Sequence, residues 1–108
     1  MEKTKILLAE DHLVVRNGIK LLLDTQANFE VVADVGSGRE ILDVLDSGVS
    51  ADILITDLTM DNVDGLELMR TLNQRGVGIR VIVLSMLDGE QHVAQSFQYG
   101  ARAYLIKN

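Results

Sequence analysis

Polar side chains recur at one kind of place in this 108-residue chain, directly after short apolar runs. Glu10 and Asp11 follow Ile6-Leu7-Leu8-Ala9, and Asp57 follows Ile53-Leu54-Ile55-Thr56. Ser85 follows Val81-Ile82-Val83-Leu84, and Lys107 follows Ala103-Tyr104-Leu105-Ile106. Brought to one rim, three carboxylates, a hydroxyl and an ammonium make a specific chemistry. Carboxylates that close repel one another and raise each other's pKa. A hard divalent cation removes that cost, and Mg²⁺ favours a few carboxylates together with waters and phosphate oxygens. A carboxylate with no Cys or His nucleophile beside it can attack a phosphoryl group and form an aspartyl-phosphate. The ammonium and the hydroxyl would then bind the phosphoryl oxygens as charge shifts during transfer.

The rest of the pattern says how these groups are brought together. Apolar runs alternate with amphipathic stretches from one end of the chain to the other. Val14, Val15, Ile19, Leu22 and Leu23 recur at helical spacing, 29–35 alternates like a strand, and Ile41, Leu42 and Leu45 form a second stripe. Leu66, Met69 and Leu72 line a third helix, and Val93, Ala94 and Phe97 a fourth. The order is β-α-β-α-β-α-β-α-β, with Gly36, Gly48, Gly76, Gly78 and Gly100 at the joints. Runs apolar at every position suit strands covered on both faces, and such alternation implies a parallel sheet with right-handed crossovers. In an open parallel sheet ligands bind beyond the carboxyl ends of the strands, which is where these polar residues fall.

Composition removes competing classes. Without Cys there is no thiol nucleophile and no thiolate-ligated metal centre. With 10 Lys and Arg against 16 Asp and Glu, the net charge of −6 argues against direct binding to a nucleic-acid backbone. No apolar run approaches the ~20 residues of a spanning helix, so a soluble, cytoplasmic domain without membrane contact is expected. The 47% hydrophobic content is enough for one core and far too much for a disordered tail. His12 and His92 have no partner at metal-ligand spacing and read as structural or exposed.

Taken singly, each polar residue has another reading. Asp11 could cap the first helix, Glu10 could be a solvated loop charge, Asp57 could open a turn, Ser85 could cap the fourth helix, and Lys107 could be surface charge. Their conjunction at successive strand ends separates the two accounts.

The same residues carry a family resemblance. Leu8-Ala9-Glu10-Asp11-His12, Ile55-Thr56-Asp57-Leu58-Thr59-Met60, Asp64-Gly65, Leu84-Ser85 and Gly100 to Lys107, in this order and spacing, resemble the receiver domain of bacterial two-component response regulators. The likeness covers essentially the whole chain, residues 1–108 forming one domain. The Glu10-Asp11-His12 opening, Val14 to Gly18, and Gly100-Ala101 are most similar to receivers attached to helix-turn-helix domains of the LuxR/FixJ type. The resemblance implies a doubly wound α/β fold with a five-stranded parallel sheet of strand order 2-1-3-4-5, flavodoxin-like. It makes Asp57 the phosphoacceptor for a sensor histidine kinase. It gives Glu10, Asp11, Asp57 and the backbone carbonyl of Thr59 to Mg²⁺, Lys107 and Ser85 to the phosphoryl oxygens, and Tyr104 to a switch whose ring turns inward as Ser85 moves. DNA would be reached only through a further domain.

Several positions depart from the family pattern. Asp61 and Asn108 stand where the family often has Pro, so a trans bond is expected at 107–108, because a non-proline cis bond costs about 2.5–4 kcal/mol. Met86 follows Ser85 where many members carry Ala. The chain also stops after the fifth strand, before the family's fifth helix. Apolar surface should therefore open near Ile6, Leu8, Ile53 and Ile55, to be covered by further chain or by a second copy in a homodimer. Two other functions compete with a phosphoryl-accepting switch. A Mg²⁺-dependent phosphohydrolase would need a second acid two residues after Asp57, where Thr59 stands. A nucleotide or flavin module would need a Gly- or Ser/Thr-rich loop where Glu10 and Asp11 stand. A stand-alone phosphorelay receiver is the remaining variant of the first reading.

Overall fold

The computed structural model describes residues 3–58, 60, 63–85 and 90–106. Nine elements follow in the expected alternation: β1 (Thr4–Ala9), α1 (Leu13–Asp24), β2 (Phe29–Val35), α2 (Gly38–Asp46), β3 (Ile53–Thr56), α3 (Gly65–Gln74), β4 (Arg80–Ser85), α4 (Glu90–Gln98) and β5 (Ala101–Ile106). All neighbouring strands pair in parallel, in the order β2-β1-β3-β4-β5. Chain direction reverses its progress across the sheet between β1 and β3, the place where this class of fold leaves a crevice.

Local chemistry sets the helix starts. Ser37 caps α2 by accepting the Glu40 N–H at 3.2 Å, and Asp64 caps α3 by accepting that of Glu67 at 2.9 Å. Both are Ser/Asp-x-x-Glu starts with an acid in the first turn, which suits the helix dipole. Asp11 does not cap α1. His12 holds that position, without a side-chain capping bond.

Successive side chains of a strand point to opposite faces. One face gives Leu7, Ala9, Leu54, Val81 and Val83 to a core closed by Ile41 and Leu42 of α2 and Leu68, Met69 and Leu72 of α3. Met60 joins the same cluster. On α4 the inward residue is Ser96, its hydroxyl donating to the His92 carbonyl at 2.9 Å, while Phe97 is half exposed. The aromatic ring expected to line this helix is thus turned outward.

The opposite face corrects another expectation. Ile6 and Leu8 are buried rather than laid open, because α1 packs over β1 and β2. Ile53 and Ile55, one strand further on, and Ile82 and Leu84 beyond them are half-buried. Of α1 itself no residue is fully buried: Val15, Ile19 and Leu23 face the sheet, and Val14, Leu21 and Leu22 are exposed. The apolar opening lies over β3 and β4, not over β1.

Candidate functional site

The strand ladders run straight into the site. Past the end of β1 the Glu10 N–H still donates to the Val35 carbonyl of β2, at 3.0 Å. Past the end of β3 the Asp57 N–H donates to the Ala9 carbonyl of β1, at 3.1 Å. Glu10 and Asp57 therefore leave the sheet at the same level, on adjacent strands. Both are buried, at 2% and 5% exposure. Oxygens of Glu10, Asp11 and Asp57 and a ring nitrogen of His12 all lie within 4.8 Å of one another. The three carboxylates drawn together from sequence spacing do converge.

The electrostatic cost falls on Asp11. Partial desolvation raises its pKa most, followed by the hydrogen bond shared with the Glu10 carboxyl; His12 lowers it, and the negative charges of Glu10 and Asp57 add smaller increases. An acid raised in this way favours the protonated form in the folded state. Its ionisation penalty is present above the raised pKa and vanishes as pH falls below the unfolded value. A cation bound by this carboxylate must displace that proton. Mg²⁺ affinity should therefore begin to decline, as pH falls, above the ordinary aspartate value, and in Asp11→Asn this higher-pH onset of the decline should be missing along with much of the affinity. Isothermal titration at several pH values measures both.

Ser85 is fully buried at the end of β4. Thr56 and Val83 are register partners, so Ser85 leaves its strand on the same rim as Asp57. Ser85 is thus the last residue of a strand. Tyr104 pairs with Val83, two residues before Ser85, and so shares the Ser85 face of the sheet, half-buried against the core. The register partner of Ser85 is Ile106, the last described residue of β5. Lys107, Thr59, Asp61, Met86 and the 107–108 bond lie outside the described residues; among those described, no peptide bond is cis.

Close backbone approaches hold the Asp57 loop, and two glycines permit them. Gly65, first residue of α3, donates its N–H to the Leu58 carbonyl at 3.0 Å. Gly38, first residue of α2, donates to the Val63 carbonyl at 2.9 Å, and a Cβ there would strike that same carbonyl. Val63 has φ 66°, in the left-handed region that costs a β-branched residue about 1–3 kcal/mol. The Thr56 hydroxyl, fully buried, donates to the Asp57 carbonyl at 2.9 Å.

Two features were not foreseen. His12 has partners after all: Nδ1 lies 3.0 Å from an Asp11 oxygen and 3.3 Å from Glu10 Oε2, although the ring is 71% exposed. Consecutive residues at a strand-to-helix turn can converge without any helical ligand spacing. Arg16 reaches from α1 to the Glu10 carbonyl, with Nη1 at 3.3 Å, and sets Nε 3.4 Å from Asp34 Oδ2. Lys20, one turn on, holds the other Asp34 oxygen at 3.2 Å. The signal is an i, i+4 basic pair on α1 and an acid near the carboxyl end of the edge strand.

Residues 6–108 match the model of the response regulator receiver domain. The chain belongs to that family. This receiver is 39% identical over 107 residues to a nitrate/nitrite response regulator protein homolog of Haemophilus influenzae, covering 99% of this chain and 51% of the relative. Against the transcriptional regulatory protein UhpA of Salmonella typhimurium the identity is 41% over 102 residues, covering 94% and 50%. A crystal structure of a LuxR-family two-component response regulator from Aurantimonas superposes with a TM-score of 0.90 at 28% identity, covering 99% of the receiver and 76% of that chain. The receiver thus spans about half the length of the curated relatives it matches. Among its described residues no helix is long and apolar enough to cross a membrane.

Proposed function

We propose that this receiver is a phosphoryl-accepting switch in which Asp57 takes the group from a phosphohistidine of a sensor kinase. The observation that carries the reading is the convergence of two buried carboxylates, Glu10 and Asp57, with Asp11 at the carboxyl end of the sheet. The donor set fits a hard divalent cation: it is all-oxygen apart from His12 and gathers three carboxylates within reach of one ion. Glu10, Asp11 and Asp57, with the Thr59 carbonyl, would hold Mg²⁺, which when bound neutralises the carboxylates and the incoming phosphoryl oxygens.

One Asp57 oxygen attacks phosphorus as the P–N bond to the kinase imidazole breaks, and the imidazole leaves with that electron pair. The Asp57 N–H donates to Ala9, the Thr56 hydroxyl donates to the Asp57 carbonyl, and Gly65 ties down the next carbonyl at Leu58, so the nucleophile needs little reorganisation to react. Ser85 and Lys107 would bind the transferred oxygens, and Tyr104, on the Ser85 face, would follow the movement of Ser85 into the core. Group uptake then biases a two-state equilibrium, and catalysis is limited to acceptance and later loss to water. With relatives twice as long and named as transcriptional regulators, the output we propose is DNA binding through a second domain, in the cytoplasm.

Acetyl phosphate with Mg²⁺ should label the receiver to no more than one phosphate per chain, and a chelator should abolish the labelling. Repeated turnover of a small phosphate ester would instead make it a phosphohydrolase.

A further inference from the structure

His12 is the one member of the cluster that an Mg²⁺ site does not need. Mg²⁺ is an oxygen-seeking ion, whereas imidazole suits Zn²⁺ and its neighbours in the transition series. Ions of that kind bind nitrogen and carboxylate oxygen at about 2.0–2.2 Å, which in a tetrahedral shell sets neighbouring donors roughly 3.3 Å apart. His12 Nδ1 already stands 3.0 Å from the Asp11 oxygen and 3.3 Å from the Glu10 oxygen. The Asp57 oxygen is within 4.8 Å of all of them and needs to close by only an ångström or so. Two of the four residues are buried and fixed by the sheet, while the histidine is exposed and free to adjust its ring.

We propose that His12 makes the cluster a mixed nitrogen–oxygen site that takes a borderline transition ion, Zn²⁺ above all, in competition with Mg²⁺. The proposal rests on the Mg²⁺ reading above, since both ions would share Glu10, Asp11 and Asp57.

The test uses tag-free protein, Co²⁺ as a spectroscopic stand-in and Zn²⁺ as competitor. His12→Asn is a suitable variant because Asn is a strong N-cap and His12 makes no side-chain cap of its own. His92→Asn, on α4, is the control. Wild-type and His92→Asn protein should give the intense visible bands of four-coordinate Co²⁺, displaced by Zn²⁺. In His12→Asn the bands should be lost and Zn²⁺ affinity should fall at least about tenfold, while Mg²⁺ affinity measured by calorimetry holds or rises. Equal Zn²⁺ affinity in wild type and His12→Asn would overturn the proposal and leave the Mg²⁺ reading intact. So would a parallel loss of both metals, which would reduce His12 to a structural support. Failure of the wild type to bind any of the three ions would sink both.

Discussion

With Asn at position 57, phosphoryl uptake from acetyl phosphate should fall to the background of the assay, a loss of at least about 10³-fold. The amide keeps the shape of the carboxylate, so its backbone bonds to Ala9 and Thr56 can stay in place. What goes is the nucleophile: a neutral amide oxygen has neither the charge nor the leaving-group chemistry of an acyl phosphate. A second readout keeps this result from being mistaken for unfolding. The Asp57 charge is one of the causes that raise the Asp11 pKa. In Asp57→Asn the Asp11 carboxyl should titrate lower, moving back toward its ordinary value, as followed by carboxyl NMR. Loss of labelling together with this downward shift places the chemistry on Asp57 within an intact cluster. Stoichiometric labelling of the variant would move the phosphoacceptor elsewhere and overturn the assignment.

The path from sequence to this site ran through one regularity. Strands buried on both faces read as unbroken apolar runs, and the first polar residue after each run marks the rim. That rule picks out Glu10, Asp11, Asp57 and Ser85 from residue order alone. It carries no information on what crosses between elements. Arg16 meets Asp34 because α1 lies over the edge of the sheet, and the strand-end rule does not look there. His12 escapes sequence rules for a related reason: helical ligand spacing misses donors that a turn brings together. Gly65 is legible as a motif member, whereas Gly38 carries no such signal, because the Val63 carbonyl it must clear belongs to a loop distant in sequence. The apolar opening lies one strand further from that edge than the pattern implies, since residue order does not say which strands α1 covers.

Gly65 offers the sharpest check on how the site is held. A Cβ at this position would collide with the Asp57 carbonyl oxygen and lie 2.9 Å from both the Asp57 carbonyl carbon and the Leu58 Cα. These are backbone atoms, so no side-chain rotation relieves the clash; either the Asp57 loop or the start of α3 must move. Two effects oppose each other in Gly65→Ala. Alanine favours the helix over glycine by about 1 kcal/mol, whereas forced overpacking typically costs 1–3 kcal/mol and more when the backbone must yield. The clash should win, with a net loss of about 2 kcal/mol in urea unfolding. The movement acts on the nucleophile as well. A displacement near 1 Å can cost about 10²-fold in rate, so phosphoryl uptake should slow by roughly 10- to 100-fold in protein that is still folded. Gly18, in the middle of α1, has nothing within 4 Å of the same hypothetical atom. Gly18→Ala should therefore show the propensity term alone, a gain of about 0.5–1 kcal/mol with uptake unchanged. If the two variants shift stability in the same direction and leave uptake alike, the close approach of α3 to Asp57 is not what positions the acceptor.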